Sequence, residues 1–136
     1  MIFEEFLSKT IHENFDLLLT KFGFYYIVSE DESRDISFFY KKNGLLIRIK
    51  YNYPNQYLDF DLFKGADINN LIGADFISLP HILKDKNPEF QISKYKAIMP
   101  KVIPIERSLD FLAKLVEEYA TPYLEGKEWK SWRDIK

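Results

Sequence analysis

The chain contains no cysteine, and only two of its 136 residues are histidine. The first absence excludes a disulfide framework, thiolate zinc sites and a cysteine nucleophile. The second leaves histidine-based zinc chemistry without a scaffold, because neither His12 nor His81 sits in a His-Glu-x-x-His or His-x-x-x-His spacing. Arginine is scarce too, at four residues against fifteen lysines, and the net charge is −2. A chain so close to neutral and so poor in guanidinium groups is not expected to bind nucleic acid. The five glycines, Gly23, Gly44, Gly65, Gly73 and Gly126, are scattered and form neither a phosphate loop nor a dinucleotide fingerprint. No apolar run approaches the roughly 18 residues of a membrane span. The start, Met1-Ile2-Phe3-Glu4-Glu5, lacks the basic and apolar regions of a signal peptide. Neither a membrane nor a cofactor is therefore expected, and a cytoplasmic location is the default.

What the chain has in excess is aromatic side chains: twelve Phe, nine Tyr and two Trp. A single domain, 1–136, should not absorb all of them in its core, so some should lie on a surface that binds something.

Phe3, Leu7, Ile11, Phe15, Leu18 and Phe22 recur at steps of three and four, which predicts an amphipathic helix over 2–22 closed by Gly23. From Phe24 the period changes to two. Strands are expected at 24–29, from Ile36, from Leu45, and over Gln56–Lys64. Asn43-Gly44 is a strong hairpin signal and sets Tyr40 opposite Ile47, Phe38 opposite Ile49 and Ile36 opposite Tyr51. Centring the next turn on Tyr53-Pro54 sets Ile49 opposite Leu58 and Ile47 opposite Phe60. Both registers place Ile36, Phe38, Tyr40, Ile47, Ile49, Leu58, Phe60 and Leu62 on one face, as a correct register must. The other face then carries Ser37, Phe39, Lys41, Leu46, Arg48, Lys50, Tyr57, Asp59, Asp61 and Phe63, and should meet water, a partner or an edge loop.

Residues 65–107 have less pattern. Ser78–Leu83 suggests a short helix with Pro80 in its first turn. Lys84, Lys86, Lys94, Lys96 and Lys101, with Phe90 and Tyr95, read as a solvated loop rather than a single-strand platform. Met99–Pro104 reads as extended chain. Ser108 is a candidate N-cap for a helix carrying Leu109, Leu112, Val116, Tyr119 and Tyr123, which should bend or stop near Ala120–Thr121 because of Pro122. Residues 126–136 form either a flexible tail or a flap whose Trp129 and Trp132 cap a core edge; exposed, the two indoles would anchor an interface. The fold class that follows is α+β: a four-stranded antiparallel meander with N- and C-terminal helices packed on one face.

No catalytic constellation emerges. Asp59 and Asp61, two apart on a strand, share a face and could bind a divalent ion, but a third ligand is lacking and pairing of Asp59 with Arg48 is the favoured reading. The surface that stands out contains Phe39, Arg48, Tyr57, Asp59 and Asp61, with Trp129 and Trp132 as further anchors for a protein partner.

The run Leu45-Leu46-Ile47-Arg48-Ile49-Lys50-Tyr51, followed by Tyr57-Leu58-Asp59-Phe60-Asp61-Leu62, resembles a strand pair in small uncharacterised bacterial α+β proteins. The segment Leu112–Tyr119 with Tyr123-Leu124-Glu125-Gly126 is similar to their closing helix. Some proteins of this kind are encoded beside toxins and act as immunity proteins. The resemblance implies a non-enzymatic binding role, such as occluding a toxin's active site, and supplies no catalytic residue. Two other readings stay open: a small enzyme or ligand carrier with a pocket between sheet and helices, using Asp59, Asp61 or His81, and a structural homodimer formed through the sheet face.

Overall fold

The computed structural model describes residues 3–89 and 104–135. A long helix α1 (Phe3–Lys21) leads into five antiparallel strands: β1 (Tyr25–Asp31), β2 (Asp35–Lys42), β3 (Leu45–Asn52), β4 (Tyr57–Lys64) and β5 (Asp75–Ser78). Their spatial order is their chain order, β1-β2-β3-β4-β5. Then come α2 (Leu79–Lys86), α3 (Ile105–Tyr119) and the single turn α4 (Thr121–Leu124), with 3-10 turns at Ile68–Asn70 and Trp132–Asp134. The α+β class with an antiparallel sheet is as expected; the sheet has five strands rather than four, and the tail is docked.

Gly23, at φ +91°, closes α1 in the left-handed region that a C′ residue favours. The β2–β3 hairpin has the expected register, with Tyr40 opposite Ile47 and Phe38 opposite Ile49. The β3–β4 register is displaced by two residues from expectation: Ile49 faces Phe60, Ile47 faces Leu62 and Tyr51 faces Leu58. The physical reason is the turn. It spans 53–56, with Gln56 at φ +52° and the Asn52 side chain accepting from the Asn55 N–H at 3.0 Å. A slip of two preserves parity, so the inner face is unchanged while the cross-strand partners differ.

The inner face packs under α1, α2 and α3 as the main core, where Leu7, Ile11, Phe15, Phe38, Ile47, Ile49, Phe60, Leu62, Leu112 and Val116 are all fully buried. Helix α3 begins a turn earlier than Ser108: Pro104 is its N-cap, and Ser108 is buried within it, its hydroxyl 3.4 Å from the Pro104 carbonyl. Ser78 precedes α2, and Pro80 occupies its first turn. The stretches around Lys94–Lys101 and Met99–Ile103 lie outside the described residues.

The outer face is half covered. After β4, Gly65 at φ +70° turns the chain back over the sheet. Asp67 caps the following 3-10 turn, accepting from the Asn69 N–H at 2.9 Å while its own N–H donates to Asn70 at 2.7 Å. Ile68, Leu71 and Ala74 then press on Phe39, Leu46 and Phe63, forming a second, smaller core. Phe39, expected on a binding surface, is only 2% exposed. Truncating a buried Phe costs the lost transfer energy plus a cavity. Phe39→Ala should therefore lower the unfolding free energy by about 3 kcal/mol in urea titration; wild-type stability in that variant would mean that segment 65–74 does not cover the sheet.

Candidate binding surface

Beyond the small core, the outer face is charged and part-buried. The pleat carries Arg48 and Lys50 outward from β3, and Tyr57, Asp59 and Asp61 outward from β4, because alternate residues of a strand share a face. The shifted register pairs Arg48 with Asp61 and Lys50 with Asp59, not Asp59 with Arg48 as the sequence suggested. The Arg48 guanidinium donates to a single Asp61 oxygen, from Nη2 at 2.9 Å and Nε at 3.3 Å, and lies 5.1 Å above the Phe63 ring. Asp61 is buried. The Lys50 ammonium is 4.0 Å from Asp59, at the outer limit of an ion pair.

That difference separates the two carboxylates. Withdrawal from water, with Asp61 close by, pushes the Asp59 carboxyl up to about 6; Lys50 and Arg48 oppose the shift without cancelling it. The Tyr57 hydroxyl is raised as well, first by the negative charge of Asp59 and then by burial, Asp35 and Asp61. Among the described residues no three His, Cys, Asp or Glu side chains are grouped to hold a metal. Asp61 already spends its charge on Arg48, and Asp59 has Lys50 rather than the expected Arg48 across the register.

The C-terminal segment borders this surface. Trp129 caps the sheet: its indole N–H donates to Asp75 at 2.8 Å and its ring meets Tyr123 edge-on. Lys130 bonds Asp85 at 2.9 Å, and Lys86 pairs with Glu128. Trp132 is 40% exposed and lies over Phe76 and His81, with ring centroids 6.0 and 6.3 Å away. A cleft of about 350 Å³ runs between Arg48, Phe63, Phe76 and Trp132. The structure thus brings Arg48, Tyr57, Asp59 and Asp61 together, sets Trp132 at their border, buries Phe39 and puts Trp129 to structural use.

His81 and Ser78 come together in a way that spacing alone did not reveal. The Ser78 hydroxyl lies 2.6 Å from His81 Nδ1, and the Ser78 backbone N–H donates to the same nitrogen at 3.4 Å. Burial lowers the basicity of His81, with Lys84 adding to that and Asp61 opposing it. The arrangement closes the N-terminus of α2 as a capping box does. It does not make a triad: the carboxylate across the register from Ser78 is Asp61, already engaged by Arg48.

The aromatic surplus surfaces elsewhere as well. Tyr25 and Tyr26 on β1, Phe3 on α1 and Phe111 on α3 are exposed. Sequence reasoning did not single out Tyr25 and Tyr26, although the first strand of a meander is an edge by construction. Among the described residues no helix is long and apolar enough to cross a membrane. No family model matches the chain, and no curated protein or solved structure is found to be similar to it.

Asp59 has a consequence for stability. Its folded carboxyl titrates near 6, above the roughly 3.9 of an unfolded Asp, so the folded state binds the proton more tightly. Stability contributed by that proton is full below about pH 4 and is lost as pH rises through about 6. Asp59→Asn should abolish this fall and stabilise the protein at pH 7 by on the order of 1–2 kcal/mol. Thermal melts of both proteins at pH 4.5 and 7 check this, and an unchanged pH slope in the variant would refute it.

Proposed function

We propose that the protein is a non-enzymatic protein-binding module that offers the charged half of its outer sheet face to a basic partner. The observation that carries this reading is the state of Asp59: a carboxylate largely withdrawn from water whose cross-strand cation, Lys50, stays 4.0 Å away. Such a group destabilises the free protein, and a cation brought by a partner would relieve the cost. Tyr57 beside it and Trp132 at the border supply amphipathic side chains of the type that anchors interfaces. Asp35, Asp59 and Asp61 against Arg48 and Lys50 leave the end of the patch around Tyr57 acidic, with Arg133 at the Trp132 border, and that acidic end steers a basic surface towards it.

An immunity-type inhibitor, occluding the active site of a bacterial toxin, is the specific form of this function. It accords with the resemblance of the β3–β4 strand pair, and toxins that cleave nucleic acid present basic clefts for an acidic face to fill. The space between the sheet and the helices, where an enzyme or carrier would keep a pocket, is packed by the main core.

Affinity purification of the tagged protein from its host should capture a basic protein at pH 7.5 in a salt-sensitive complex. Binding a cation requires the deprotonated Asp59, so affinity should fall as pH drops below about 6. Asp59→Asn should weaken the complex by about tenfold at pH 7.5 and remove that pH dependence. A captured protein that binds equally well at pH 5 and 7.5, and equally well to the variant, would place the interface elsewhere.

A further inference from the structure

The fold treats the two edges of its sheet differently. Alongside β5 runs the C-terminal segment, with Trp129 bonded to Asp75 and Trp132 resting on Phe76. β1 is the other end of the strand order, and all seven of its residues are exposed. Four consecutive large apolar residues lie on it: Tyr25, Tyr26, Ile27 and Val28, at 59%, 36%, 38% and 39% exposure. Natural edges of this kind are normally guarded by lysine, proline or inward-pointing charge, and these four positions have none. The ladder between β1 and β2 skips Ile27, a bulge of the sort that twists an edge. It does not hide the apolar groups, since Tyr25 and Ile27 line a cleft of about 330 Å³ with Lys41, Leu46 and Ile68.

Charge gives this edge a direction. At its beginning, Tyr25 is paired with Lys41 on β2, whereas the Lys42 ammonium is held by the Phe22 and Leu124 carbonyls. At its far end stand Glu30, Asp31 and Glu32, the last bonded through its N–H to the Asp35 carbonyl. We infer that β1 pairs antiparallel with β1 of a second copy of this chain, joining two sheets across a two-fold axis. In that orientation the acidic end of each strand lies beside the lysine end of the other. The lysines sit one strand further in, at about 10 Å or two strand spacings, within reach of long side chains. Parallel pairing would set three acids against three acids. The two-fold arrangement is self-complementary, as a closed dimer requires, and it gives the outward N–H and C=O groups of β1 their ladder partners. Arg48 and Asp59 lie on β3 and β4, so the dimer leaves the charged face of both copies out of its seam.

The test is sedimentation equilibrium of the intact protein from about 1 to about 500 µM, at low and at high salt. The expected result is a monomer–dimer equilibrium with a dissociation constant in the micromolar range, weakened by salt. Val28→Lys should remain monomeric throughout with an unchanged melting temperature. Glu30→Lys combined with Asp31→Lys should weaken the dimer at least tenfold, and adding Lys41→Glu should restore it. These exposed substitutions keep the question answerable if Val28→Lys disturbs the strand. A wild-type monomer at every concentration overturns the inference, as does a dimer unaffected by both sets of changes. A monomer that instead takes up another protein's strand, and loses it on Val28→Lys, overturns self-pairing and gives the edge to a different partner. None of these outcomes bears on the acidic face, which Asp59→Asn tests separately.

Discussion

The strand pleat sends Ile47 and Ile49 to one side of β3 and Leu46, Arg48 and Lys50 to the other, and this alternation governs the rest of the molecule. Three helices can cover only one of the two faces. On the inner side they bury every large side chain of the central strands. The outer side must find cover for Leu46, Phe39 and Phe63 from a short connection, which the chain supplies between Gly65 and Ala74. Ten residues shield three apolar side chains and no more, so the row beyond them had to be polar, and there Arg48, Lys50, Asp59 and Asp61 stand. Core and candidate surface are therefore two results of one period of two.

The inner face was legible because two constraints coincided. A hairpin whose Asn-Gly turn requires positive φ fixes β2 against β3, and a one-residue error anywhere would have exposed isoleucines. The same parity hid the error in the next turn: Asn52–Gln56 makes a longer loop than Tyr53-Pro54 suggested, and a slip of two leaves every side chain on its own face. Only the ion pairs reveal it, since Asp61 takes Arg48 and Asp59 is left with a distant Lys50. Segment 65–74 was illegible for another reason. Ile68 and Leu71 have neither strand nor sustained helix spacing, and their burial depends on an Asp67 cap and on a surface to which Phe39 and Leu46, more than 20 positions away, contribute. β5, four residues long, is too short for alternation to register. Helix α3 starts before Ser108 because Pro104 already sets the dihedral angles of a helix entrance, which leaves the serine to be buried.

Of the candidate site, the polar row could be read from the strands, but its energetics could not. Asp59 and Asp61 are equivalent in sequence, and the fold separates them. One accepts two bonds from a guanidinium stacked on Phe63; the other sees an ammonium at 4.0 Å and titrates near 6. Trp129 and Trp132, three residues apart, divide in the same way between a structural bond to Asp75 and an exposed place at the border of the face. In both pairs the distinction depends on contacts between residues far apart in the chain, which no local pattern encodes.

The two edges of the sheet extend the same argument. β5 joins the meander last, and the chain that follows it has enough length to come back and cover it with two indoles. β1 joins first, directly after α1, and α1 is already committed to the inner face through Leu7, Ile11, Phe15 and Leu19. His12 reaches the strand only to set its ring edge-on to Tyr26 at 4.5 Å. No later strand among the described residues pairs with the free edge of β1, and all seven of its residues stay exposed. An edge that the protein's own topology cannot reach has two stable outcomes, negative design against neighbours or a neighbour. The absence of lysine and proline from those four positions, together with acids at the strand's far end and Lys41 of β2 beside its beginning, favours the second.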